Sequence, residues 1–179
     1  MNRRKVLLGS VAAGAALAGA GLAWWQIQPH GKPAQLAASG SALDPFWQQS
    51  FDTPDGGSLA VAGFSGKPLL VNFWATWCPP CIEELPLIDR FFVENKDKSW
   101  QVLGLAVDQP SAVRAWLQRK PLNFPIAMAG FAGTELSKSL GNLTGGLPFT
   151  VVFGASGQLL HRKTGKVTAE DLALWAQLV

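Results

Sequence analysis

Two runs of apolar residues in this chain continue without the polar alternation of a half-exposed strand. They extend from Leu69 to Trp74 and from Val102 to Val107, the second closed by Asp108. Runs of this length and kind are typical of central strands covered on both faces. Between them the apolar spacing changes to steps of three and four residues, which predicts a helix from Cys78 to about Glu94, kinked at Pro86.

Shorter patterns complete an α/β layout with a central mixed sheet flanked by helices. A hairpin is predicted because a Gly-Ala-Ser-Gly turn separates two short apolar runs. The other predicted elements are a strand at Ser58–Val61, helices at Ser111–Arg119 and Glu135–Leu140, an edge strand at Ile126–Met128, hairpin strands at Thr150–Phe153 and Leu159–Arg162, and a terminal helix at Thr168–Leu178.

The first 27 residues have a different character from the rest. Arg3, Arg4 and Lys5 precede a stretch from Val6 to Gly31 without any Asp, Glu, Lys or Arg. Residues 6–27 are about long enough to cross a bilayer as a helix, and the basic cluster should stay in the cytoplasm. Residues 1–27 are therefore predicted to be a cleaved signal peptide or an uncleaved transmembrane anchor, and the double arginine resembles a twin-arginine export signal. Residues 28–45 are predicted to be a linker, and residues 46–179 a folded domain.

Charge excludes one class of partner. The formal net charge of +3 comes from 15 Lys plus Arg and 12 Asp plus Glu. Because Arg3, Arg4 and Lys5 account for the excess, the remainder is balanced and carries no basic stripe for nucleic acid. We expect a monomer that does not bind nucleic acid.

Cys78 and Cys81 are the two cysteines of the chain, and they are too few for an all-thiolate zinc site. A ring this small restrains an unfolded chain little, so a redox disulfide with no other cofactor is the better interpretation. At the predicted helix start, unpaired N–H groups and the helix dipole favour the Cys78 thiolate. Pro79 and Pro80 have no N–H, which leaves the Cys81 N–H as the main local donor to the Cys78 sulfur. A moderately lowered pKa, typical of a reductant, is the resulting hypothesis.

From about Phe46 onward the chain resembles the thioredoxin fold, and within it the extracytoplasmic TlpA/ResA-like thiol:disulfide oxidoreductases. The resemblance depends on three motifs in order: Trp77-Cys78-Pro79-Pro80-Cys81, Pro86 five residues later, and Gly146-Leu147-Pro148-Phe149-Thr150 before the hairpin. It implies that Cys78 attacks a partner disulfide and that Cys81 resolves the mixed disulfide.

The same resemblance implies roles for residues around the cysteines. Asn72 stands where relatives often have a buried acid, and it cannot be a base. Glu84, one turn beyond Cys81, is the predicted substitute, partly buried and with a raised pKa, while Glu83 is predicted to be solvated. Pro148 is predicted to be a cis-proline that leaves the Leu147 backbone open to a substrate strand. Further substrate contacts are predicted at Trp77, Pro79, Pro80 and Phe149, with Phe149 also suited to the core, and Trp74 is assigned to the core.

Three functions fit the sequence. The first is a reductant of selected protein disulfides on the periplasmic side of the bacterial inner membrane, similar to relatives that serve cytochrome maturation and supplied by a membrane thiol donor. The second is an oxidant that forms disulfides with the same site. The third is a module that delivers a soft metal ion such as Cu(I) on the two thiols.

Overall fold

The two continuous apolar runs form neighbouring parallel strands in the middle of a mixed sheet. The structure is a computed structural model that describes residues 44–177. Within this range seven strands pair in the order β2-β1-β5-β4-β3-β6-β7. Their bounds are β1 Ser50–Asp52, β2 Ser58–Ala60, β3 Leu69–Trp74, β4 Gln101–Ala106, β5 Ile126–Met128, β6 Phe149–Phe153 and β7 Leu159–Thr164.

Helices cover both faces of the sheet, as a sheet that is apolar on both sides requires. The α-helices of the described residues are α1 Asp44–Trp47, α2 Pro79–Asn95, α3 Pro110–Arg119, α4 Gly133–Ser139 and α5 Ala169–Trp175, with short 3₁₀ turns at Val61–Phe64 and Lys96–Lys98. The long helix α2 continues through Pro86 to Asn95. Thr168 caps α5 reciprocally with Asp171, which fixes the start of that helix.

Side-chain alternation along β3 divides the core into two layers. Leu70 and Trp74 pack on one face with α2, α3 and α5. Leu69, Val71 and Phe73 pack on the other face, where α1 and α4 contribute. Trp74 is fully buried, which confirms its predicted place in the core. Asn72 lies between Leu70 and Trp74 on the α2 face, so a polar side chain stands in an apolar layer beneath that helix.

The sequence predicts the strands and helices well in the middle of the chain and less well near its start. Ile126–Met128 is a strand as predicted, but its assignment to the edge of the sheet is wrong. The short strand β1 pairs with it through Asp52 and Met128, and β2 pairs beyond β1. With Phe51 as its one apolar residue, β1 has too short a pattern to be predicted.

The predictions for residues 1–27 and for most of the linker lie outside the described residues. Within residues 44–177, no helix combines the length and the apolar character that crossing a membrane requires. The predicted end of the last helix at Leu178 also lies outside the described range, in which α5 ends at Trp175.

Candidate active site

The two cysteines lie where β3 gives way to α2. Cys78 is the N-cap of α2, and its sulfur is bonded to that of Cys81 in the first turn. The Cys81 N–H donates to Cys78 Sγ over 3.3 Å, as the sequence predicts. Cys78 is 5 % exposed and Cys81 is fully buried. Of the two cysteines, the one at the helix start is therefore the one that keeps exposed surface.

Pro79 and Pro80 occupy the first positions of α2, where proline is well tolerated because those N–H groups have no partner within the helix. Both are exposed. The Ile82 N–H binds the Cys78 carbonyl and not its sulfur. Among the described residues, the Cys81 N–H is thus the one hydrogen-bond donor to Cys78 Sγ.

A buried aspartate holds the loop that carries the cysteines. Asp108, at the end of β4, accepts from the Thr76 N–H over 2.8 Å and from the Thr76 hydroxyl over 2.6 Å. Its other oxygen accepts from the Gln109 N–H at 2.7 Å. The sequence marks Asp108 as the end of a strand, whereas the structure adds that it fixes the backbone two residues before Cys78.

Glu84 of α2 is buried more completely than the sequence predicts. Its side chain is fully buried, with Oε1 accepting from Asn72 Nδ2 at 2.7 Å and Oε2 accepting from the Val167 N–H at 2.5 Å. Asn72 Nδ2 also donates to Thr150 Oγ1 over 2.9 Å. The structure thereby joins α2, β3, β6 and the approach to α5 around one carboxyl group.

Burial raises the pKa of Glu84 from an ordinary value near 4.5 to about 7, because a carboxylate is poorly solvated there. The Val167 and Asn72 hydrogen bonds, together with the charges of Lys166 and Lys163, oppose this increase. A carboxyl group with this pKa can gain or lose a proton near neutral pH. Glu83 is 62 % exposed and pairs with Lys166 at 2.7 Å, as expected of a solvated neighbour.

The segment before β6 carries the predicted cis-proline. The Leu147–Pro148 peptide bond is cis, and Pro148 is buried while Leu147 is half-buried. The Pro148 carbonyl accepts from the Gly165 N–H at 2.8 Å. Within residues 44–177, no backbone hydrogen bond to Leu147 is formed. Its N–H and C=O therefore have no backbone partner among the described residues.

Exposed apolar side chains occur at the end of the sheet that carries the disulfide, and two of them are not predicted from the sequence. Trp77 is 63 % exposed beside the disulfide. Leu143 and Phe131 are also strongly exposed, in the loops that lead to β6 and follow β5, and these loops lie at the same end of the sheet. Periodicity could not find them because both stand outside helices and strands. Phe149 is 1 % exposed and packs against Phe73, so its side chain takes the core position that the sequence also allows.

Together, a mixed sheet flanked by helices, a bonded cysteine pair between β3 and α2, and a cis-proline directly before the neighbouring strand β6 define a thioredoxin-like protein. The chain belongs to the Redoxin family, whose model matches residues 35–174. This agrees with the TlpA/ResA-like resemblance of the sequence.

Individual relatives support the same assignment. The chain is 29% identical over 119 residues to "Thiol-disulfide oxidoreductase ResA" of Bacillus thuringiensis subsp. konkukian, covering 66% of each protein. It thus spans about two thirds of the length of the curated relatives that it matches. A thioredoxin-related protein from Neisseria meningitidis serogroup B is 29% identical with a TM-score of 0.64, over 73% of this chain and 97% of that one. A thioredoxin-family thiol:disulfide interchange protein from Chlorobium tepidum is 28% identical with a TM-score of 0.63, over 73% and 91%.

Proposed function

We propose that this protein is a thiol:disulfide oxidoreductase that reduces selected protein disulfides outside the cytoplasm. The observation that carries the proposal is the Cys78–Cys81 bond at the start of α2, with the outer sulfur at the helix N-cap and the inner sulfur buried. A pair in which one cysteine keeps some exposed surface and the other has none can exchange with a partner disulfide in an ordered way.

In the reduced protein, the Cys78 thiolate attacks one sulfur of the partner disulfide. A mixed disulfide forms, and the other partner sulfur leaves as a thiolate that takes a proton from solvent. Cys81 then loses its proton and attacks Cys78 Sγ, which expels the second partner sulfur as a thiolate that also takes up a proton. The partner gains two electrons and two protons, and this chain ends with the Cys78–Cys81 disulfide.

Glu84 is the group that we propose takes the Cys81 proton. It lies three residues beyond Cys81 on the same side of α2, and its pKa of about 7 lies close to working pH. Asn72, at the position of the acid found in many relatives, is an amide and cannot take that proton. The carboxyl that this site needs is therefore supplied by the helix instead of the strand.

The direction of electron flow follows from the donors around Cys78. Pro79 and Pro80 offer no N–H, and the Cys81 N–H is at 3.3 Å, so the thiolate receives modest stabilisation. A modestly stabilised thiolate gives up electrons more readily than the strongly stabilised thiolate of an oxidant. Titration of Cys78 in the reduced protein should give a pKa above about 5, and a lower value would favour the disulfide-forming alternative.

The surface around the disulfide suits a polypeptide partner. Trp77 and the exposed faces of Pro79 and Pro80 form an apolar rim, and the open backbone of Leu147 offers one residue of strand pairing. We propose that an extended segment beside the partner's disulfide binds there. Each turnover leaves the protein oxidised, so a membrane thiol donor must reduce it again in an oxidising compartment.

The proposed location is the periplasmic side of the bacterial inner membrane. It depends on the sequence of residues 1–27, whose basic cluster precedes a charge-free stretch long enough to span a bilayer. The protein would remain anchored through residues 6–27, or be released if that stretch is cleaved.

Trapping of the mixed disulfide tests the proposed function. In Cys81→Ser the resolving step is blocked, so Cys78 should retain its partner in an adduct that dithiothreitol releases. Cys78→Ser is the matched control, because it keeps one thiol but removes the attacking one. Adducts in the first variant and not in the second support the function. Folded Cys81→Ser protein that forms no adducts in cells would contradict it.

A further inference from the structure

A short row of polar side chains crosses the apolar layer beneath α2. Asn72 of β3 and Thr150 of β6 are directly opposite each other in the antiparallel register, and Glu84 of α2 lies over them. All three are fully buried. Polar groups in such a place must satisfy one another, because water does not reach them.

One atom of this row has no partner. Among the described residues, Asn72 Oδ1 makes no hydrogen bond, although the amide nitrogen of the same side chain makes two. Both Glu84 oxygens accept, Oε1 from Asn72 and Oε2 from Val167. Each Glu84 oxygen thus faces an N–H donor, which suits an ionised carboxylate because that form can only accept hydrogen bonds.

A protonated Glu84 would not fit these donors. Its acid proton must be donated, yet one oxygen faces the Val167 N–H and the other faces the Asn72 NH₂. The Val167 N–H belongs to the backbone before α5 and cannot turn away, whereas an amide side chain can rotate about its last bond. Rotation by a half turn would bring Asn72 Oδ1 to both Glu84 Oε1 and Thr150 Oγ1.

The rotated arrangement keeps the number of hydrogen bonds. Asn72 Oδ1 would then accept from the Glu84 acid group and from the Thr150 hydroxyl, since a hydroxyl can donate as well as accept. The Asn72 NH₂ would occupy the place where Oδ1 now has no partner. Each protonation state of Glu84 thus leaves one polar atom of Asn72 without a partner, so neither orientation is favoured by its bond count.

We propose that Asn72 is a positioning residue whose side-chain amide rotates as Glu84 gains and loses its proton, with Thr150 as the hydroxyl that serves both orientations. The proposed function supplies the reason for that proton to move, but the rotation itself depends only on the hydrogen bonds of this row. An aspartate at residue 72 could not do this, because two buried carboxyl groups would then compete for charge.

Charged groups from the neighbouring elements also face this carboxyl. Lys163 of β7 pairs with Asp171 of α5, and Lys166 pairs with Glu83 of α2. Both lysines favour the ionised form of Glu84. They contact the partners named here and not the Asn72 amide, so they influence the proton without replacing its hydrogen-bond partner.

The test is an NMR titration of the full-length chain in detergent, with the disulfide intact, between pH 5 and 9. The Glu84 carboxyl carbon reports its proton, and contacts from the Asn72 NH₂ protons to the Thr150 side chain report the amide orientation. We expect strong contacts above the Glu84 midpoint and their loss below it, with the same midpoint for both signals. Contacts that stay constant while Glu84 titrates would overturn the proposal.

Variants distinguish rotation of the Asn72 amide from a role of Asn72 in packing alone. In Glu84→Gln, the side-chain oxygen must accept from the Val167 N–H, so the side-chain NH₂ faces Asn72. Asn72 Oδ1 should therefore stay turned toward residue 84, and the contacts between the Asn72 NH₂ and Thr150 should be weak at every pH, as they are at low pH in the wild type. The high-pH pattern in this variant would contradict the proposal. Asn72→Leu should raise the pKa of Glu84 by about one pH unit, since the carboxylate loses a charged hydrogen bond and the acid loses only a weaker, neutral one. Thr150→Val, which removes a partner from both states, should change that pKa less, and an equal change would also count against the rotation.

Failure of this inference can be told from failure of the proposed function. The titration needs no redox partner, and the trapping experiment needs no amide rotation. If Cys81→Ser traps partners while the Asn72 signals stay constant, the rotation is wrong and the function stands. If the signals follow Glu84 and nothing is trapped, the rotation stands and the redox function is wrong.

Discussion

Glu84→Gln should change how the stability of the oxidised protein depends on pH. Burial raises the pKa of this group in the folded state from near 4.5 to about 7. Below pH 4.5 the carboxyl is protonated in the folded and unfolded states alike. Between the two values the unfolded chain releases the proton and the folded chain keeps it, so stability falls as pH rises. Above pH 7 both states are ionised, and the full cost of the buried charge remains.

The size of the effect follows from the same two values. A pKa raised from near 4.5 to about 7 corresponds to a loss of about 3 kcal/mol across the whole range. Between pH 5 and pH 8 the wild-type protein should lose about 2 to 3 kcal/mol of unfolding free energy more than Glu84→Gln does. Gln has nearly the same shape and no charge, and the other titrating groups are common to both proteins, so their contributions cancel in the difference.

Urea unfolding followed by tryptophan fluorescence, with the disulfide intact, measures this difference. Glu83→Gln is the matched control, because Glu83 is the adjacent glutamate and is 62 % exposed. It should keep the wild-type pH dependence. If wild type and Glu84→Gln lose stability in parallel between pH 5 and pH 8, then the Glu84 carboxyl does not titrate with a raised pKa and cannot have the proton-transfer role proposed for it.

Three further substitutions test the surroundings of the site. Gly104→Ala should lower the free energy of unfolding by about 1 to 3 kcal/mol, because the new Cβ would lie 2.5 Å from an isoleucine methyl group of β5. The control Gly63→Ala, whose new Cβ would have no atom within 4 Å, should change that free energy by less than about 0.5 kcal/mol. Similar values for the two variants in urea unfolding would contradict this packing. Thr76→Val removes the 2.6 Å hydroxyl bond to buried Asp108 and should cost about 1 to 3 kcal/mol in the same assay, and an unchanged stability would mean that the loop is not held there. Trp77→Ala should slow the reduction of insulin about fivefold, because Trp77 is exposed beside the disulfide, and should leave the reaction with dithiothreitol unchanged. A fivefold effect is equivalent to about 1 kcal/mol of docking energy. Equal slowing of both reactions would place Trp77 outside the docking surface.

Much of the fold could be predicted because its central elements have strong local patterns. The continuous apolar strands β3 and β4 and the three- and four-residue steps of α2 correspond to the structure closely. Ile126–Met128 was predicted as a strand for the same reason. Its place inside the sheet depends on pairing with Asp52, more than 70 residues earlier in the chain, and no local pattern encodes such a contact.

In the candidate site, too, local motifs could be predicted and long-range contacts could not. Cys78, Cys81 and Pro148 could be predicted because short motifs carry them. The placement of Glu84 could be predicted from helical spacing, but its complete burial depends on Val167, which is 83 residues away in sequence. Spacing along a helix indicates which side of the helix a residue occupies and not what covers it.

Thr150 and Phe149 illustrate the limit of motif reasoning. Both belong to the segment that resembles the cis-proline motif, and they point to opposite faces of β6. Phe149 packs into the core layer with Phe73, whereas Thr150 joins Asn72 beneath α2. The motif predicts that this segment lies near the cysteines, but the strand register decides which side chain lies on the α2 face of the sheet.

The most direct test of the ordered exchange is limited alkylation of the freshly reduced full-length protein with substoichiometric iodoacetamide at neutral pH, followed by peptide mass mapping. Cys78 lies at the helix N-cap and is 5 % exposed, whereas Cys81, in the first turn of the helix, is fully buried. The label should therefore appear on Cys78 at least about tenfold more than on Cys81, as expected if thiolate character and access control reactivity. Equal labelling of the two thiols, or preferential labelling of Cys81, would contradict the assignment of Cys78 as the attacking sulfur.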